Sequence, residues 1–279
     1  MHKAGLRKTD YREDHILWVP VDFNQLMAPV EAEKENHLIV PLFGKHFENV
    51  EIIDDYLKGN VYYIVSGHGG PDPGALAKYG GHTLCEDEYA YDISLRLARN
   101  LIQHSATVYM ITRDNNDGIR NEAYLKPDQD EVCYPNQEIP LNQIKRLNQR
   151  VDEINKLYNE HKAQGVGKQR VVIIHVDSRS STQRIDMFFY YNPKSKSGKN
   201  LAEILRNTID EKYSIHQKGR GYSGTVKARN LHMLRETSPV AVYAELGNIR
   251  NTADQRRFII EDNRQAIANW LTEGLMKEK

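Results

Sequence analysis

Two histidines and one glutamate stand where short apolar runs give way to residues that bind metals or move protons. Val61-Tyr62-Tyr63-Ile64-Val65 empties into Ser66-Gly67-His68-Gly69-Gly70, Val171-Val172-Ile173-Ile174 into His175, and Val240-Ala241-Val242-Tyr243-Ala244 into Glu245. A fourth run, Val108-Tyr109-Met110-Ile111-Thr112, ends at Arg113-Asp114. Imidazoles and carboxylates are the ligands of open catalytic metal sites, in which three protein groups leave one position for water. His68 and His175 are two candidate ligands. For the third, Glu86, Glu88 and His82 stay open, because spacing does not choose among them. Glu245 ends an apolar strand, where a carboxylate is costly unless it is paired or used. Passing a proton from an activated water to a leaving amine is a use that fits such a site.

The elements that must position these residues are legible around them. Apolar runs without polar alternation indicate strands buried on both faces, the habit of parallel sheets. Open α/β sheets bind their ligands at the carboxyl ends of such strands. Four parallel strands would therefore bring their exit residues to one edge. Between the runs, apolar residues recur at helical spacing: Tyr89, Ile93, Leu97 and Leu101; then Leu141, Ile144, Leu147, Val151, Ile154 and Leu157; then Leu201, Ile204, Leu205 and Ile209. Phe258, Ala266, Ile267, Trp270 and Leu271 mark one C-terminal helix, entered through Asn251-Thr252-Ala253-Asp254. Strand and helix alternate from Val61 onward, which predicts an α/β sheet with covering helices. Residues 1–57 are polar and irregular and read as an extension packed on a main domain at 58–279. Within that domain, the polar stretch between Asp114 and Pro140 has no clear periodicity, and loops of this length are often functional.

The chain has 279 residues, 39% of them hydrophobic and 27% charged, enough for a substantial core. Its formal net charge is zero, so no global field favours nucleic acid or an anionic membrane. Apolar runs fall short of a spanning helix, and Met1-His2-Lys3-Ala4-Gly5-Leu6-Arg7 does not open an apolar leader. The two cysteines, Cys85 and Cys133, match no zinc-knuckle or redox spacing.

From about residue 60 to its end, the chain resembles the zinc-dependent N-acetylmuramoyl-L-alanine amidases, which cut peptidoglycan. Gly67-His68-Gly69-Gly70 with Asp72, Gly74 and Ala75 matches the family's GHGGxDxGA opening. Glu86 ahead of Asp92-Ile93-Ser94-Leu95-Arg96-Leu97-Ala98 matches its ligand glutamate, and Thr112-Arg113-Asp114 its TRxxD strand exit. Arg150 with Ile154-Asn155 is similar to its RxxxAN segment, Ile174-His175 to its SIHxN histidine, and Glu245-Leu246-Gly247-Asn248 with Asn251 to its ELGFxxN segment. The resemblance implies zinc ligands His68, Glu86 and His175, with Glu245 as general base and acid. It implies an α/β fold, a single three-layer domain with a twisted, mostly parallel sheet flanked by helices. The implied activity is hydrolysis of the amide between N-acetylmuramic acid and L-alanine, in wall turnover or cell separation. The implied partners are peptidoglycan or muropeptides, with the protein a monomer. The implied location is periplasmic or extracellular if an export leader has been removed, with the cytoplasm as the alternative.

This chain departs from the family pattern in three places. Asp177 replaces an asparagine after the second histidine, Asn248 replaces a phenylalanine after Leu-Gly, and the stretch from Asn115 to Lys145 is extra. Asp177 and Asn248 are kept as candidate substrate contacts. Arg220 and Arg229, in and after the glycine-rich stretch Lys218 to Gly224, are further candidates, since arginine suits a peptide carboxylate. Two unpaired, buried thiols are one reading of the cysteines; the alternative is a Cys85–Cys133 disulfide that pins the insert over the metal cleft. Two other function classes compete with the amidase: a zinc peptidase or amidohydrolase on short peptides, and a catalytically silent peptidoglycan-binding relative. The presence of all four inferred site residues speaks against the silent one.

Overall fold

A computed structural model describes residues 36–278 together with two short strands nearer the start, β1 (Leu6–Lys8) and β2 (Trp18–Pro20), which pair antiparallel. The chain divides into two compact units, 1–36 and 37–279. The expected extension is thus divided: residues 37–57 belong to the second unit, where Phe43, Val50 and Leu57 are buried in the core. The rest of that expectation lies almost wholly outside the described residues. In the second unit, β3 (His37–Ile39) and β4 (Asn49–Glu51) form a short antiparallel ribbon.

The central sheet begins with β5 (Val61–Ser66), every residue of which is buried. An antiparallel hairpin follows, β6 (Leu76–Tyr79) and β7 (His82–Cys85), and leads directly into helix α1 (Glu86–Gln103). Then come β8 (Thr107–Met110), β9 (Thr112–Arg113), β10 (Val132–Cys133), β11 (Gln137–Glu138) and helix α2 (Gln143–Ala163). The chain continues through β12 (Gln169–Asp177), β13 (Phe188–Tyr191), α3 (Lys196–His216), β14 (Val226–Ala228) and the short helix α4 (His232–Glu236). It closes with β15 (Val240–Asn248), α5 (Thr252–Ile259) and α6 (Glu261–Lys277). Six strands form the sheet, in the order β14-β13-β15-β12-β5-β8. All its pairs are parallel except β13 against β15.

The alternation of side chains along β5 builds the two halves of the core. Tyr62 and Ile64 join the cluster that holds α1, α3 and α6, whereas Val61, Tyr63 and Val65 join the one that holds Val151, Ile154 and Leu157 of α2. The result is helix, sheet and helix in three layers. None of the described helices is long and apolar enough to cross a membrane.

Two local expectations change. The single C-terminal helix is two, because Ile260 between them takes an extended backbone conformation. Helix α1, read as amphipathic, is buried almost all round over its first half, because α6 and the insert cover the face turned from the sheet. There Asp92 Oδ2 accepts hydrogen bonds from Arg96 Nε (2.8 Å) and Arg264 Nε (2.6 Å), and the carbonyl of Arg120 accepts from both guanidinium groups.

Candidate metal centre

Parallel pairing brings three of the four strand exits together. Strands β5, β12 and β15 are neighbours, with Ile174 opposite Ser66 and His175 opposite Glu245. His68, Glu86 and His175 each place a ligand-capable atom within 4.8 Å of the others. The fourth exit serves the insert instead. Strand β9 pairs with β10, Arg113 donates to the Pro135 carbonyl (3.0 Å), and Asp114 Oδ1 accepts from the Asn116 and Asp117 amides.

Each candidate ligand is held by its own local structure. His68 adopts φ 65°, a left-handed conformation that costs a non-glycine residue energy and persists only when its surroundings enforce it. Its Nδ1 lies 3.0 Å from Asp72 Oδ2, and its carbonyl accepts from Arg150. With Nδ1 engaged, Nε2 faces Glu86 Oε2 at 3.4 Å, the arrangement by which a second carboxylate orients a metal-binding imidazole. Glu86 is the first residue of α1, delivered there by the Gly80-Gly81 turn, whose φ values of 55° and 84° only glycine adopts easily. Its Oε2 accepts from the Ala75 amide (2.9 Å), and its Oε1 from the Val176 amide (3.0 Å). His175 Nδ1 lies 2.8 Å from Glu86 Oε1. The His175 ring stacks on Tyr243, centroids 4.5 Å apart. Gly67 makes room for that ring, since a Cβ there would fall 2.2 Å from His175 Cε1.

The electrostatics of the group are mutual. Burial disfavours charge on His68, but the Asp72 and Glu86 carboxylates outweigh it and push its pKa up to about 10. Burial likewise works against the Glu86 charge, yet hydrogen bonds to His175 and His68 hold its carboxyl well below the usual range. His175 is shifted down, by burial foremost. Glu245 is raised well above an ordinary glutamate by burial and then by the nearby Glu86 and Asp177 charges. Its Oε2 is buried and has no hydrogen-bond partner.

The open question of the third ligand has a geometric counterpart. His82 stacks on Tyr124, centroids 3.8 Å apart, and Glu88 pairs with Arg120 (2.7 Å) and accepts from the Asp128 amide. Glu86 is the one of the three that joins both histidines.

Other expected site residues are engaged elsewhere. Arg220 pairs with Asp186 and lies over the Tyr213 ring. Asn248 is wholly buried, donating to the Ser180 and Gln183 carbonyls and accepting from the Arg179 and Arg250 amides. Its side chain is a clip for the loop after β12. Asp177 pairs with Arg179 (2.6 Å), and exposed Arg229 lies over the ring of Tyr190. Of the two readings of the cysteines, the structure has the unpaired one and not the disulfide: Cys85 and Cys133 are both free and buried. Cys133 is packed in the cluster beneath α2, whereas Cys85 caps the start of α1.

A cleft of about 240 Å³ opens beside the ligands, lined by His68, Asp72, Arg146, His175, His232 and Tyr243 among others. Residue patterning alone gives Asp72, Arg146 and His232 no role of their own. Arg146 lies one helical turn before Arg150, and that spacing is the available signal.

The family model described as N-acetylmuramoyl-L-alanine amidase matches residues 63–277. A cell wall amidase of Bacillus anthracis, described as uncharacterized, is 25% identical over 228 residues, covering 80% of this chain and 36% of that protein. A probable cell wall amidase of Staphylococcus aureus, LytH, is 24% identical over 239 residues, covering 81% of this chain and 63% of that one. The chain thus spans only part of the length of these relatives. Among solved structures, the amidase AmiC2 of Nostoc punctiforme superposes with TM-score 0.52 at 23% identity, over 78% of this chain and 96% of that one. An N-acetylmuramoyl-L-alanine amidase of Clostridium difficile 630 gives TM-score 0.55 at 21% identity, over 77% and 94%. At these identities the structural likeness speaks for the fold.

Proposed function

Since the chain belongs to the N-acetylmuramoyl-L-alanine amidase family, we propose that it hydrolyses the amide joining N-acetylmuramic acid to the L-alanine of the stem peptide. The observation that carries this reading is the meeting of His68, Glu86 and His175 beside an unpartnered, buried oxygen of Glu245.

The donor set fits zinc. Two imidazoles and one carboxylate are a set that catalytic zinc takes with one position left open, and Asp72 supplies the outer carboxylate that such a histidine needs. When bound, zinc supplies polarisation of the amide carbonyl and a lowered pKa for the attacking water.

The chain's own groups do the rest. Glu245 takes the proton of the attacking water at its free carboxylate oxygen and returns it to the leaving L-alanine nitrogen. Burial raises the Glu245 carboxyl above an ordinary glutamate, which favours its keeping the proton between the two transfers. Tyr243 and Gly67 fix the plane of the His175 ring. Asp72 fixes that of His68. Action on intact wall would put the protein outside the cytoplasmic membrane, whereas action on released fragments leaves the cytoplasm as the alternative.

The test is a digest of purified peptidoglycan. Mass spectrometry should find stem peptides with a free L-alanine amino terminus and glycan stripped of peptide, both lost with Glu245→Gln. Cleavage within the peptide instead would make this protein a peptidase.

A further inference from the structure

The inserted segment is joined to the metal ligands by one guanidinium. Arg146, on the first turn of α2, donates from one nitrogen to Asp72 Oδ2 at 2.5 Å. From the other it donates to the carbonyls of Leu141 (2.5 Å) and Pro140 (3.4 Å), at the end of the insert. Asp72 Oδ2 is the same oxygen that meets His68 Nδ1. We infer that Arg146 is a positioning residue, which locks Asp72 against His68 and makes the geometry of that ligand depend on the inserted segment. This rests on the reading of His68 as a metal ligand.

Two observations and one property of the guanidinium group support it. Arg146 is buried, and its pairing with half-buried Asp72 is less screened than a surface pair. A planar fork can bind a carboxylate with one arm and a carbonyl with the other, which a lysine ammonium does less rigidly. The insert also grips the His68 loop independently: Glu131 Oε2 accepts from the Gly70 amide at 2.6 Å, and Ile139 packs so closely on Gly70 that a Cβ there would lie 3.0 Å away. Residues 131–146 therefore brace the strand exit that carries His68. The insert acts as a support for the ligand loop, and Gln143 at its end reaches the cleft wall.

Zinc affinity measured by chelator competition, together with the visible spectrum of the cobalt-substituted protein, tests this on the full chain. Outer partners of a metal ligand are worth about 10- to 100-fold in affinity. Asp72→Ala should fall in that range. Arg146→Ala should lose about tenfold, with a shifted cobalt spectrum, and Arg146→Lys should recover part of the loss. In the Asp72→Ala background, Arg146→Ala should cost nothing more, because Arg146 acts through Asp72. Circular dichroism checks that each variant folds, and Arg146→Gln serves if Arg146→Ala does not. Wild-type affinity and spectrum in folded Arg146→Ala would overturn the inference while leaving the metal reading intact. A full tenfold loss persisting without Asp72 would overturn it as well. A wild-type protein that takes up no zinc would remove the metal reading itself.

Discussion

His175 and Glu245 lie directly opposite each other in the parallel pairing of β12 and β15. Neighbouring strands are about 4.8 Å apart, and paired residues leave the sheet on the same face. Register alone therefore places a proposed ligand beside the group proposed to move the proton. The relationship depends on the pairing of apolar residues upstream, from Arg170 opposite Val240 onward. A slip of one residue would turn either side chain to the other face.

Glu245→Gln keeps the size of the side chain and removes its capacity to carry a proton. Turnover should fall by about 10²- to 10⁴-fold, the range of general acid–base catalysis. Zinc content, measured by inductively coupled plasma mass spectrometry, should stay at the wild-type level. Loss of metal along with activity would make Glu245 a ligand and not a proton carrier.

Gly67→Ala tests the room left for the second imidazole. The added Cβ would sit between 2.2 and 2.4 Å from three atoms of the His175 ring, and an overpacked core site costs about 1–3 kcal/mol. The ring must rotate off Tyr243, so metal affinity should fall at least about tenfold and the melting temperature should drop. Unchanged affinity would show that the ring has another position from which to bind.

Much of this site is legible in the sequence, for a physical reason. Strands buried on both faces carry unbroken apolar runs, so Val61–Val65, Val171–Ile174 and Val240–Ala244 stand out, and with them His68, His175 and Glu245 at their ends. Glu86 is not separable from Glu88 and His82 by spacing, because the choice depends on how the Gly80-Gly81 turn aims the start of α1. Strand β13 carries the aromatic run Phe188-Phe189-Tyr190-Tyr191 and is absent from the strands expected of the sequence. Arg220, singled out by its glycine-rich stretch, and Asn248, singled out by its departure from the family pattern, have side chains that hold loops, and neither signal carries those contacts. The insert shows no periodicity because its order comes from contacts with other elements. Tyr89 and Tyr91 hydroxyls donate to the Ala123 and Asp114 carbonyls, and Arg120 reaches Glu88.

Glu131 gives the insert a signature in pH. Burial pushes its carboxyl up to about 7, although the Gly70 amide favours its charge. An unfolded glutamate titrates near about 4.3. Between those values the native state holds a proton that the unfolded chain has released, so this group's contribution makes stability fall as pH rises from about 4.3 to about 7. The slope is at most about 1.4 kcal/mol per pH unit. Glu131→Gln keeps an oxygen for the Gly70 amide and should flatten that part of the curve in urea unfolding at pH 5, 6, 7 and 8. Parallel curves for the two proteins would show that Glu131 titrates as in the unfolded chain.

The two thiols should be inert in the native state. Burial pushes both Cys85 and Cys133 up to about 11, and the thiolate is the reactive form. Alkylation with iodoacetamide should proceed only after unfolding, and the melting temperature should be the same with and without reductant. A reductant-dependent melting temperature, or a Cys85–Cys133 peptide in a non-reducing digest, would contradict the free thiols.

Everything proposed for the reaction depends on His68, Glu86 and His175 together holding one zinc ion. Crystals grown with zinc and measured on both sides of the zinc absorption edge would locate that ion. One anomalous peak per chain is expected, about 2.0–2.2 Å from a nitrogen of each histidine and from a Glu86 oxygen, with no such peak in His175→Ala. A peak elsewhere on the chain, or none at these three residues, would contradict this ligand set.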